Sequence, residues 1–259
     1  PPPPPPPFSS RRRHTRSTLQ SRGLGDVYKR QMAYMAAHEG YRTLLIDLDP
    51  QGASSFYFRV KPSKKQRGKR LINASQSLIK HIKASDFENL DIVPAHLSFR
   101  HFDNLLGQIK KSNNRLSKTF SRLSKEYDLI ILDCPPTLSY LSEAVFTASD
   151  VIFVPVIPTT LSERTYEQLL DFFKKHDYPK KRIVPFFTMV QAQKSMHKTL
   201  MKTMSNRYSR FLKTRIPFSA DIENMGDYRT PVAVFAKHRP ANQSYISLWK
   251  EMEKKIRKS

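Results

Sequence analysis

Cysteine is nearly absent from this chain of 259 residues, where Cys134 stands alone. One thiol excludes an internal disulfide and any metal cluster built from thiolates. Long apolar runs are missing too: the longest, Val151 to Ile157, is interrupted by Pro155 and falls far short of the roughly 18 residues a membrane helix requires. Acidic residues are scarce, 22 against 45 lysines and arginines, which leaves a formal charge of +23. That excess points to a polyanionic partner, nucleic acid before membrane. Glycine is thin as well, seven in all, and no stretch carries the G-K-[ST] ending of a phosphate-binding loop. A reducing cytoplasm suits this composition.

Residues 1–31 read differently from the rest. Seven prolines lead into Arg11-Arg12-Arg13-His14-Thr15-Arg16 and then Ser21-Arg22-Gly23-Leu24-Gly25-Asp26-Val27-Tyr28-Lys29-Arg30-Gln31. A proline run forms a polyproline II rod, and the arginine-rich part is too polar to pack, so the stretch is expected to be disordered. It resembles translated adapter read-through more than a natural basic tail, and no apolar segment makes it a signal peptide. The folded domain is therefore expected at 32–259, and its charge remains strongly positive.

From Met32 the pattern becomes regular. Met32–His38 is the tail of a small-residue helix that Gly40 stops. Strands are expected at Arg42–Asp47, Leu90–Val93, the run ending at Asp133, Val151–Val156, Arg182–Val190 and Thr214–Pro217. Helical segments fall between them, near Gln51–Arg59, Ser98–Leu106, Asn113–Glu126, Leu138–Thr147, Thr160–His176, Ser195–Tyr208 and Ala241–Ile256. A basic loop at 61–70 reads as a solvated connection, followed by helical spacing at Leu71, Leu78, Ile79 and Ile82. Strands alternating with helices predict an α/β fold, a doubly wound, mostly parallel sheet flanked by helices. Two of the strands, ending Ile46-Asp47 and Leu132-Asp133, deliver a carboxylate to the edge where open α/β folds bind ligands.

The order of these segments resembles the ParA family of partition ATPases, within the wider group that contains MinD-like proteins. Gly40 through Gln51-Gly52 (GYRTLLIDLDPQG) matches the family's second motif, and Tyr127-Asp128 through Asp133-Cys134-Pro135-Pro136 matches its Walker B segment. Ile216-Pro217, Pro231-Val232 and the last helix resemble its C-terminal signature. The resemblance implies an ATP hydrolase using Mg²⁺. Asp133 would hold the metal, Asp49 would position the hydrolytic water and Asp47 would support the metal's bound waters. The competing account for each Asp is a cap on the following helix or turn. Gln51 and Gly52 would shape a loop that senses the γ-phosphate, with a plain turn the alternative for Gly52, while Thr188-Met189 and Pro217-Phe218 would contact the base, with core packing the alternative for Met189 and Phe218.

The family's first motif, a KGGVGKT-type loop, has no counterpart here. Gly23-Leu24-Gly25-Asp26-Val27-Tyr28-Lys29-Arg30-Gln31 holds its place without G-K-[ST], and Asp26 would repel phosphate. The first strand and the phosphate loop are both expected to be missing through truncation, leaving an inactive chain of lowered stability. By resemblance, the partners are nonspecific DNA, a ParB-like stimulating protein and a second copy in an ATP-bound homodimer, with the protein on the nucleoid. Lys237 and Arg239, with Arg215 and Arg229, are the candidate DNA contacts; a solvated surface is the alternative. Rival readings are a MinD-like positioning ATPase and a non-enzymatic DNA-binding remnant. Ser244–Ser259 offers only Ile246, Leu248, Trp249, Met252 and Ile256 among many lysines, so this helix is expected to pack on the domain, without stable membrane insertion. Iron–sulfur ATPases of this fold lack support for want of cysteines.

Overall fold

The computed structural model describes residues 15–20, 27–62, 79–108, 112–135 and 137–259. Eight strands form one sheet in the order β3-β4-β2-β5-β1-β6-β7-β8. They are β1 (Thr15–Gln20), β2 (Thr43–Asp47), β3 (Lys83–Ala84), β4 (Leu90–Val93), β5 (Leu129–Cys134), β6 (Val151–Val156), β7 (Ile183–Val190) and β8 (Arg215–Pro217). All pairings are parallel except β3 with β4. The expected doubly wound α/β architecture is what the chain adopts.

Side-chain alternation assigns the two faces of the sheet. Leu45, Ile131, Phe153 and Phe186 pack on one side with helix α1 (Val27–His38) and the last helix (Pro240–Ile256). Leu44, Ile46, Ile130 and Leu132 point the other way, against Phe120 and Leu123 of the Ser112–Leu123 helix and Leu141 and Ala144 of the Tyr140–Ala148 helix. All five residues of β2 and all six of β5 are buried, as strands covered on both faces must be.

The missing first strand is a correction. β1 lies in the middle of the sheet, paired with β5 over Thr15–Gln20 and with β6 over Ser17–Leu19. The reason is backbone chemistry: β5 and β6 both need main-chain partners on their facing edges, and a ladder of N–H and C=O groups does not depend on apolar side chains. Low hydrophobicity at 15–20 therefore misled the reading of disorder. The proposed boundary at 31/32 fails likewise, because α1 begins at Val27 and buries Tyr28, Lys29, Arg30 and Gln31. Of the place assigned to the phosphate loop, residues 27–31 open α1, while Gly23 to Asp26 and the basic run from Ser63 through Leu78 lie outside the described residues.

Helix α1 ends as its glycine foretells. Gly40 has φ +88°; its N–H donates to the Ala37 carbonyl at 2.9 Å, and the Tyr41 N–H to that of Ala36 at 3.1 Å, the paired bonds of a left-handed C-terminal cap. The turn that follows pins β2 to β5. Arg42 grips Asp128 with a fork, Nε to Oδ2 at 3.1 Å and Nη2 to Oδ1 at 3.0 Å, a geometry more specific than a point-charge pair.

The last helix docks through Leu248, Trp249, Met252 and Ile256, all buried, with the Trp249 ring edge-on to Tyr41 at 5.9 Å. Its apolar stripe thus faces the domain, as expected, and among the described residues no helix is long and apolar enough to cross a membrane. Truncating a buried tryptophan costs about 3–5 kcal/mol. We predict that loss for Trp249→Ala in urea denaturation; a loss within experimental error would mean that the helix is not docked.

Candidate functional site

Strands β2 and β5 run parallel in a register that sets Asp47 opposite Asp133 at their carboxyl ends. Both are buried, at 0% and 3% exposure. Each carboxylate is tied by the chain itself. Asp133 Oδ1 takes an ion pair from the Lys29 ammonium, and Oδ2 accepts the Ser54 hydroxyl at 2.6 Å. Asp47 Oδ2 accepts the Ser55 N–H at 2.8 Å and the Ser55 hydroxyl at 2.6 Å, while Oδ1 accepts the Asp49 N–H at 3.3 Å. Ser55 Oγ in turn accepts the Ala95 N–H at 2.7 Å, which ties the site to the end of β4. Burial first, and then the negative charge of Asp133, push the Asp47 carboxyl up to about 7, against the opposing pull of the Ser55 hydrogen bonds.

The Asp47 contacts realise part of the capping alternative, since they engage the first turns of helix α2 (Ala53–Tyr57). Among the described residues, the partners of the Asp133 carboxylate are the side chains of Lys29 and Ser54. Asp49 stands at the mouth of the pair, half-buried, and its Oδ1 accepts the Gln51 N–H at 2.9 Å in a tight turn. Gln51 is exposed on that turn. Gly52 closes it at φ +64°, where a Cβ would sit 3.4 Å from that of Ala95. A left-handed backbone and a close neighbour together explain glycine here.

Across the sheet, four expected residues come together. Thr188, Met189, Pro217 and Phe218 line one recess with Tyr28, Ile216, Ser219, Ile222, Glu223 and Tyr245. Met189 has φ +52°, and the pairing of β7 with β8 shifts register between Phe187 and Val190. Irregularities of this kind re-aim side chains at strand ends. Phe218 is 45% exposed, so it is not a core residue. The first turn of α1 joins the two halves: Tyr28 faces the recess, and the next residue, Lys29, reaches the acid pair.

The basic candidates do not form one cluster. Lys237 and Arg239 are exposed just before the last helix. Arg229 is exposed as well, at φ +46°, and its guanidinium lies over the Phe56 ring at 3.7 Å, a cation–π contact beside the Asp49–Gly52 turn. Arg215 opens β8 next to Thr214, whose N–H donates to Glu251 at 2.7 Å. Glu251 is more than ten residues beyond Arg239, so at about 1.5 Å per residue the length of the helix separates Arg215 from the pair at its start.

A magnesium ion asks for near-octahedral oxygens, usually with several waters. Here one Asp133 oxygen faces an ammonium and the other a hydroxyl, and among the described residues no three His, Cys, Asp or Glu side chains converge. As arranged, these residues do not fit a bound divalent ion. Sequence reading missed Tyr28, Lys29, Ser54, Ser55 and Glu223. For Ser54 and Ser55 a signal existed in the small polar pair right after Asp49-Pro50-Gln51-Gly52. Lys29 carried none, lying in a stretch read as disordered.

Comparison with known proteins agrees with this fold. A family model described as an AAA domain (AAA_31) matches residues 27–184. The sporulation initiation inhibitor protein Soj of Bacillus subtilis is 28% identical over 222 residues, 83% of this chain and 88% of Soj. Caulobacter vibrioides chromosome partitioning protein ParA is 24% identical over 223 residues, 82% and 83% of the two chains. Among solved structures, a putative plasmid partition protein from Borrelia burgdorferi bound to AMPPNP superposes with a TM-score of 0.77 at 20% identity, over 94% of this chain and all of that one. With a family model spanning more than half its length, the chain belongs to the AAA domain family and, within it, to the ParA-type partition ATPases.

Proposed function

We propose that this protein works in DNA partitioning as a ParA-type ATPase fold that binds DNA without sequence preference, with a ParB-like partner and a second copy of itself as the other members of the assembly. The observation that carries the reading is the Asp47–Asp133 register pair, set at the same carboxyl edge as the recess of Thr188, Met189, Pro217 and Phe218. Open α/β sheets bind nucleotides along that edge. In a member of the family with an intact phosphate loop, the place of this recess would take the base of ATP and the residue at Asp49 would orient the attacking water. Gln51 and Gly52 would there shape the turn that responds to the terminal phosphate.

The chain itself departs from an active ATPase at two points. No G-K-[ST] loop is present to cradle phosphates, and the described acid pair does not fit Mg²⁺. A non-enzymatic DNA-binding form of the fold is therefore favoured for this chain over a hydrolysing one. A MinD-like membrane role is disfavoured by the last helix, whose Leu248, Trp249, Met252 and Ile256 are buried. Titration with a labelled ATP analogue and Mg²⁺ should show no saturable binding; low-micromolar affinity would refute the inactive assignment.

DNA affinity should rest on phosphate contacts and weaken steeply with salt. Lys237 and Arg239 are the leading contacts, with Arg229 and Arg215 as separate additions. Replacing Lys237 and Arg239 by alanine should weaken binding to duplex DNA at low salt and flatten the slope of log affinity against log salt by roughly 2, about 0.9 per contact. An unchanged slope with unchanged retention would remove both residues from the interface.

A further inference from the structure

We propose that Lys29 is the resident cation of the Asp47–Asp133 pair, and that by holding Asp133 it shuts this chain's acidic site to divalent metal. The inference does not depend on a role in partitioning; it concerns which cation the two buried carboxylates accept.

Three observations converge. First, the Lys29 side chain is 1% exposed and that of Asp133 4%. A buried ammonium and a buried carboxylate are each costly to leave alone, so neither leaves without a replacement partner. Second, the Lys29 Nζ also donates to the Cys134 carbonyl at 3.5 Å, which sets it against the end of β5, where the sheet delivers its acid. The remaining Asp133 oxygen is held by Ser54, and the neighbouring Asp47 by Ser55 and the Asp49 amide. Third, the ammonium is tethered. Tyr28, Met32, Ala33 and Ala36 bury α1 against the sheet, so Lys29 is held at the acids at a fixed place, whereas a free ion must be drawn from solution.

Electrostatics makes the two cations exclusive. A divalent ion touching Asp133 would sit within a few ångströms of the ammonium, and like charges so close in a water-poor site repel strongly. Either the metal is absent or Lys29 has swung out, which requires α1 to unpack or the charge to be removed.

The test uses the full 259-residue chain without nucleotide, with Mn²⁺ as the probe and its free concentration read by paramagnetic resonance. The wild type should bind no stoichiometric Mn²⁺ and show no Mn²⁺-dependent change in melting temperature. Lys29→Met should gain one site, tighter than any in the wild type by about tenfold or more, and melt higher with Mn²⁺ than with chelator. Lys29→Arg, which keeps the charge, should gain none. Because Lys29→Met leaves a buried acid pair without its cation, it is paired with the double variant Lys29→Met/Asp133→Asn, which should melt above Lys29→Met alone and lose the Mn²⁺ response. Stoichiometric Mn²⁺ binding by the wild type would overturn the proposal, as would a folded Lys29→Met that binds none or a double variant that melts no higher than the single one.

Discussion

Two carboxylates facing each other across adjacent parallel strands are the constraint from which the rest of the site follows. Parallel register places Asp47 beside Asp133, and the Arg42–Asp128 fork at the other end of the same strand pair holds that register. Once buried, the pair must be compensated. Serine hydroxyls, backbone amides and one ammonium do so, and their positions fix the turn at Asp49–Gly52, the start of α2 and the depth to which α1 inserts. The elevated affinity of Asp47 for its proton expresses the same tension: the carboxyl is buried beside the negative charge of Asp133.

The recess on the far side of β1 is bound into this arrangement by a single helical turn. Tyr28 and Lys29 are consecutive residues, one lining the recess and the other reaching the acids. A change in the position of α1 therefore alters both. The C-terminal segment is tied in as well: Gln31 Oε1 accepts the Val232 N–H at 3.1 Å, and Arg229 rests on Phe56. Arg229, one of the proposed DNA contacts, thus shares a neighbour with the Asp49–Gly52 turn.

Much of this could be read from residue order. Apolar runs ending in Asp47 and Asp133 announced buried parallel strands, and Gly40 announced the end of a helix; each rests on a local rule. Thr188, Met189, Pro217 and Phe218 were placed by resemblance alone and meet around one recess, because β7 and β8 are neighbours. What escaped was non-local. Thr15–Gln20 has no apolar signature, and its place in the sheet comes from the open edges of β5 and β6. Lys29 looked like one more charge in a polar tail; only a three-dimensional neighbour more than a hundred residues away gives it meaning. The short helices Ala220–Glu223, Met225–Tyr228 and Val232–Phe235 are too brief to show a period.

Lys29 reaches the acid pair only because the N-terminal segment is built into the middle of the sheet, which carries α1 to that edge. Amide hydrogen exchange, resolved to peptides covering Thr15–Gln20 and Val27–His38, tests this directly. Protection close to that of β5 is the predicted result, because a central strand opens only with the whole sheet. Exchange of these amides at the rate of an unstructured chain, while β5 stays protected, would contradict it.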